Sequence, residues 1–230
     1  MTVDPEGVNL LQLALFDLQK TSSETIELFP KVWAAAEALA DRTVELRRDG
    51  LVCLEELRAA RFSPLVSYLL FTKLTEPDLG LRAIVINILA EVLGPDEGGQ
   101  FAPEVVRQVL LYHLSQMEPL QIHALLEAVV YDSALESPVG ILIKSNCMAG
   151  SVLSEILSDR KQTLAIRNQA ANFIARVGFV DAAPCIERII GRIESRVNGQ
   201  QAFPFNQVDA LDEAQLLPNL KSVLVVLQAP

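Results

Sequence analysis

Three helical stretches of this chain open with an apolar residue followed by a basic one: Leu81-Arg82, Ile122-His123 and Ile166-Arg167. His123 lies 41 residues after Arg82, and Arg167 lies 44 after His123. Helix-pair repeats of one class recur at about 40–47 residues, so these spacings point to a repeating architecture. A weaker instance, Leu46-Arg47, precedes Arg82 by 35 residues. Setting the four in register brings Leu54, Leu89, Val130 and Ile174 to one position, seven residues after the basic one and on the same helical stripe as the opening apolar residue. A single helix pair cannot bury its own apolar face. Pairs that repeat therefore stack on their neighbours and end in atypical caps.

The rest of the chain agrees with helix. Apolar residues recur at three- and four-residue spacings with few β-branched alternations. The pattern predicts helices over 6–20, 23–40, 43–60, 63–75, 79–93, 102–116, 119–134, 149–158, 163–177, 181–196 and 209–228. Ser63-Pro64 reads as a cap followed by a first-turn proline, Leu93-Gly94-Pro95 as a stop, and Ala102-Pro103-Glu104 as a start. The longest irregular pieces predicted are 94–101, 135–148 and 197–208.

Two stretches carry a family resemblance. Glu76-Pro77-Asp78-Leu79-Gly80-Leu81-Arg82, followed by a helix to Leu93-Gly94, resembles the acidic turn and second-helix arginine of the HEAT-repeat family. Ile166-Arg167-Asn168-Gln169-Ala170-Ala171 running to Val177-Gly178, then Asp181-Ala182-Ala183-Pro184-Cys185-Ile186, is similar to a second helix and the next first helix. The resemblance covers residues 23–196. It departs from the family pattern at His123, which stands for the arginine, at Pro119, which replaces the acidic turn residue and predicts an irregular turn, and over 197–230. It implies an all-α fold, a short right-handed α-solenoid of about four to five HEAT-like helix pairs. The chain reads as a single domain over 1–230, with residues 1–22 an N-terminal cap helix, 23–196 the repeats, and 197–230 a loop and C-terminal cap helix. The last helix has an alternative place, against a second subunit in a homodimer.

Composition narrows the function. About half of the 230 residues are apolar, enough for a sizeable core. A net charge of −10 repels polyphosphate, which argues against nucleic acid or an anionic membrane as the main partner. The longest apolar runs, such as 223–227, fall far short of the roughly 20 residues that span a membrane. The acidic opening segment lacks the positive charge of a secretory leader, so a cytoplasmic location is expected. Three widely spaced cysteines, Cys53, Cys147 and Cys185, in apolar segments suit reduced core thiols.

The sequence contains no phosphate-cradling glycine loop, no Cys-x-x-Cys and no nucleophile elbow. Catalytic residues, cofactor and metal are therefore all expected to be none. A zinc site at His113 and His123 would require Cys147 or Asp132 to converge on them. The resemblance implies a structural role for Arg82, Arg167 and Arg47, pairing with acidic turn residues, with His123 standing in. In HEAT proteins the second helices line the concave side of the stack. Their most polar face here carries Arg48, Glu55 and Glu56, then Asn87 and Glu91, then Tyr131 and Asp132, then Asn168, Asn172 and Arg176. This face is acidic over most of its length and suits a basic or mixed-charge protein segment. Trp33 is expected in the core, with an exposed anchor as the alternative, and loop 94–101 serves as an accessory contact or a linker.

The expectation is a non-catalytic protein-interaction scaffold that binds a partner segment on its concave face. The alternatives are a HEAT-like enzyme resembling bilin lyases or DNA glycosylases, and a self-assembling structural subunit. The glycosylase version would need a lysine- and arginine-rich groove, which the acidic balance opposes.

Overall fold

A computed structural model describes residues 23–199 and 213–229, with side chains described over 29–197 and 213–229. The fold is all-α. Among the described residues there is no strand, and one isolated bridge joins Pro95 to Phe101. The residues form two compact units divided between Ala59 and Ala60. The helix predicted at 6–20 and the start of the one at 209–228 lie outside the described residues.

The first unit holds α1 (Ser23–Ala38) and α2 (Val44–Glu56), which pack against each other. Their crossing point is Gly50. A Cβ there would lie 2.7 Å from the Ala35 carbonyl oxygen and 3.0 Å from the Ala38 Cβ, so only hydrogen allows the approach. Ala35, Leu39, Leu51 and Leu54 fill the contact. A four-residue helix, α3 (Ala59–Phe62), leads into the second unit.

That unit continues with α4 (Pro64–Thr72), α5 (Leu79–Leu93), α6 (Glu104–Ser115), α7 (Pro119–Tyr131), α8 (Glu136–Lys144), α9 (Ala149–Ser158), α10 (Leu164–Val177), α11 (Ala183–Gly199) and α12 (Leu217–Gln228). Packing proceeds in chain order. Helix α4 lies on α5 and α6, α5 on α7, α7 on α9 and α10, and α12 on α10 and α11. Leu216, Leu220, Val223 and Leu227 bury the inner face of α12, while Val225 and Val226 face outward.

The N-caps mark which positions within each helix are buried. Thr43, Asp78, Glu118 and Thr163 precede α2, α5, α7 and α10, and Asp78 and Thr163 accept from the N–H three residues on, Leu81 and Ile166. Eleven residues after each cap stand Leu54, Leu89, Val129 and Ile174, all buried. This corrects one expected core position: Val130 is 45 % exposed and its neighbour Val129 takes the buried place. The cause is local, since α7 starts one residue earlier relative to His123 than α5 and α10 do relative to Arg82 and Arg167. The turn before α7 is also regular, because the Glu118 N–H donates to Gln121 Oε1 at 2.9 Å and Pro119 occupies a first-turn position needing no N–H.

A second correction concerns 135–148, expected to be irregular. It contains α8, which packs on α5, α7 and α10. Pro138 and Gly140 resemble breakers, yet Pro138 sits in the first turn, where its missing N–H costs nothing. Gly140 lies under Arg176 and Phe173 of α10, whose atoms would be 3.4 and 3.8 Å from a Cβ.

Helix α10 ends at Gly178 with φ +83°, and the N–H groups of Gly178 and Phe179 both donate to the Ile174 carbonyl. A Cβ at Gly178 would meet no neighbour, and neither would one at Gly191 inside α11. The two glycines therefore differ in backbone conformation alone. Gly178→Ala is expected to lose about 1 kcal/mol from left-handed strain, while Gly191→Ala gains roughly 0.5–1 kcal/mol of helix propensity. Urea unfolding midpoints should shift in opposite directions.

Candidate functional site

The buried polar side chains of the second unit are used to join helices that are distant in sequence. Arg82 donates from Nε to the Glu76 carbonyl at 2.8 Å, and from Nη1 to the Ala124 carbonyl and the Glu127 carboxylate, both at 2.9 Å. Arg167 repeats the pattern, with Nε on the Leu157 carbonyl at 2.9 Å and Nη2 on Glu213 at 3.2 Å. Each is almost fully buried and ties its own helix start to an acid 45 or 46 residues later. The acids so reached are Glu127 of α7 and Glu213, which stands just before α12, and Arg82 also bonds the turn residue Glu76 through its carbonyl. His123 makes a shorter tie, its Nε2 donating to Gln162 Oε1 at 2.8 Å. Arg47, in the first unit, donates from Nη1 to the carbonyls of Asp41 and Arg42, its own turn.

Two ties were not anticipated from the sequence. Arg61, buried, donates to the carbonyls of Glu91 and Gln100, both at 2.7 Å, and lies 3.7 Å from Asp96. Loop 94–101 is thereby pinned at both ends, and Asp96 Oδ1 accepts from the N–H groups of Gly98 and Gln100 inside it. Glu213 is the second. Its buried carboxylate accepts two bonds from Arg160 (3.1 and 2.7 Å), one from Arg167 and one from Arg196 (2.7 Å). Burial pushes the Arg167 guanidinium below its ordinary value; Glu213 opposes that fall, and Arg192 and Arg160 add to it.

The expected binding face divides. Arg48, Glu55 and Glu56 belong to the first unit and are exposed. In the second unit Asn87, Glu91, Tyr131 and Asp132 are exposed, Tyr131 by 60 %. Asp132 also caps the following turn by accepting from the Ala134 N–H. The remaining three are engaged within the chain. Asn219 of α12 donates to Asn168 Oδ1 at 3.0 Å and Asn172 Oδ1 at 2.9 Å, and Arg176 pairs with Glu136 of α8 at 3.2 Å. Helices α8 and α12 thus meet residues that the sequence placed on an open wall.

Aromatic residues gather elsewhere. His113 of α6 lies with its ring centroid 4.6 Å from Tyr68, 5.5 Å from Phe71 and 5.3 Å from Tyr112. Tyr68, Tyr112 and Leu65, one turn from Tyr68, are exposed, Tyr112 by 65 %. Of the two places expected for Trp33 the structure shows the exposed one: it is 54 % exposed, stacks on Phe29 and donates from Nε1 to Glu37 at 2.8 Å. Cys147 is likewise exposed, whereas Cys53 and Cys185 are half-buried. Among the described residues no group of three or more His, Cys, Asp or Glu is arranged to hold a metal ion, and no helix is long and apolar enough to cross a membrane.

Glu213→Gln removes a carboxylate that three guanidiniums share. Breaking a buried pair leaves uncompensated charge, so a loss of about 3–5 kcal/mol is expected in urea unfolding. Glu104→Gln, which breaks the exposed pair with Arg107, should leave the midpoint nearly unmoved. No protein-family model, curated protein or solved structure matches the chain.

Proposed function

We propose that the chain is a non-catalytic protein-interaction scaffold whose second unit is a short α-solenoid of HEAT-like helix pairs. Three features support the solenoid reading: buried positions eleven residues after successive N-caps, packing that proceeds in chain order, and the matching bonds of Arg82 and Arg167. The chain's buried charges hold this stack together. What is left on the surface is contact chemistry.

The observation that carries the binding reading is the exposed apolar and aromatic patch of Leu65, Tyr68 and Tyr112 around His113 on α4 and α6. Hydroxyl-bearing rings grouped with an aliphatic side chain suit a protein-recognition hot spot. The partner is a protein segment with apolar anchors and, against a chain of net charge −10, basic or mixed charge. The part of the second-helix face that stays open, Asn87, Glu91 and Tyr131, is a rival contact surface. Self-association is a second reading, favoured by Val225 and Val226 facing outward on α12.

Affinity capture from the source cells compares three baits: the wild type, Leu65→Ala/Tyr68→Ala/Tyr112→Ala, and Asn87→Ala/Glu91→Ala/Tyr131→Ala. The expected result is a protein recovered by the wild type and the third bait but lost from the second. Loss from the third alone would move the contact to the second-helix face. Recovery only of a differently tagged second copy would favour self-association. Equal recovery by all three baits would contradict both surfaces.

A further inference from the structure

Helices α4 and α6 run in the same direction. Arg61, before the start of α4, bonds the Gln100 carbonyl before the start of α6, while Tyr68 and Phe71 in the second half of α4 meet His113 near the end of α6. The pair therefore shows solvent two rows side by side. Phe62, Leu65 and Tyr68 form one, and Phe101, Val105 and Tyr112 the other, each side chain between 42 % and 65 % exposed. Val105 and Tyr112, seven residues apart, share one stripe of α6. Neither helix adds an unpaired acid to this face. Helix α4 contains no charged residue, and Glu104, the acid of α6, pairs with Arg107, whose guanidinium also lies 5.1 Å over the Phe101 ring.

Two copies of a chain with net charge −10 repel, so they associate best through a face that gains apolar burial without bringing acids together. At roughly 100 Å² left open on each side chain, the two rows offer on the order of 600 Å² per copy, most of the about 800 Å² per partner of a standard interface. We infer that, before a partner arrives, the α4–α6 face is covered by the same face of a second copy in a two-fold dimer. The inference rests on the reading above that this face is the contact surface. A partner segment then binds by displacing the second copy.

Sedimentation velocity of the full chain over a range of concentrations, at low and at high sodium chloride, tests this. A monomer–dimer equilibrium is expected, shifted toward dimer at high salt because screening relieves the repulsion between acidic copies. Leu65→Glu/Tyr112→Glu should weaken dimerisation by about tenfold or more, since it sets like charges against each other, with an unchanged circular dichroism spectrum because both positions are exposed. Val225→Glu/Val226→Glu should dimerise as the wild type does. Mixing Leu65→Glu/Tyr112→Glu with Leu65→Lys/Tyr112→Lys should restore an association that neither shows alone, the signature of one face meeting its copy. A monomer at every concentration and salt overturns the inference, and so does a dimer lost in Val225→Glu/Val226→Glu but kept in Leu65→Glu/Tyr112→Glu. The scaffold reading fails separately, when the wild-type bait captures no other protein.

Discussion

A guanidinium out of water has to find acceptors for its donors, and Arg82 finds them in three places at once. The Glu76 carbonyl belongs to its own turn, whereas the Ala124 carbonyl and the Glu127 carboxylate belong to the next second helix. Apolar packing tolerates small slides, but these bonds do not, because a shift of one residue would leave charge buried without a partner. Arg167 applies the same constraint one stage later, between the Leu157 carbonyl and Glu213. Hydrophobic burial supplies the drive to stack; the arginines select one register among the stackings that burial would allow.

The pattern of helices was largely legible because it rests on local rules. Helix α5 begins and ends where Asp78 and Gly94 mark it, and α10 where Thr163 and Gly178 do. The role of the two arginines was legible too, since a basic residue recurring beside a core position has few structural explanations. The failures are instructive. Val130 falls in the core when positions are counted from His123, whereas counting from the N-cap Glu118 puts the buried place on Val129. Nothing local marks α8: Pro138 and Gly140 resemble breakers, but Pro138 falls in the first turn and Gly140 lies beneath Phe173 and Arg176. Nothing local distinguishes Glu213 from the other acids of the chain. Its importance comes from bonds to Arg160 and Arg167 formed across about fifty residues.

The candidate contact surface shows the same division between local and non-local information. Helical periodicity identified the polar face of the second helices, and Asn87, Glu91 and Tyr131 are indeed exposed on it. Periodicity alone carries no information about which other segment of the chain covers a face. Asn219 engages Asn168 and Asn172, and Glu136 engages Arg176, so part of the polar face serves intramolecular contacts. Conversely, the grouping of Tyr68 with Tyr112 around His113 arises only when α4 and α6 pack, which is why it stood out in the fold and not in the sequence.

The most direct test of this account is native-state hydrogen exchange on Arg82→Met, a substitution that keeps much of the apolar stem and removes every donor. If the guanidinium ties one helix to the next, amide protection should fall in α7 (residues 119–131) as well as around Arg82 itself, although α7 lies some forty residues away in sequence. Loss of protection confined to residues 73–93, with α7 exchanging as in the wild type, would show that packing alone sets the register and would contradict the central role given to the arginines.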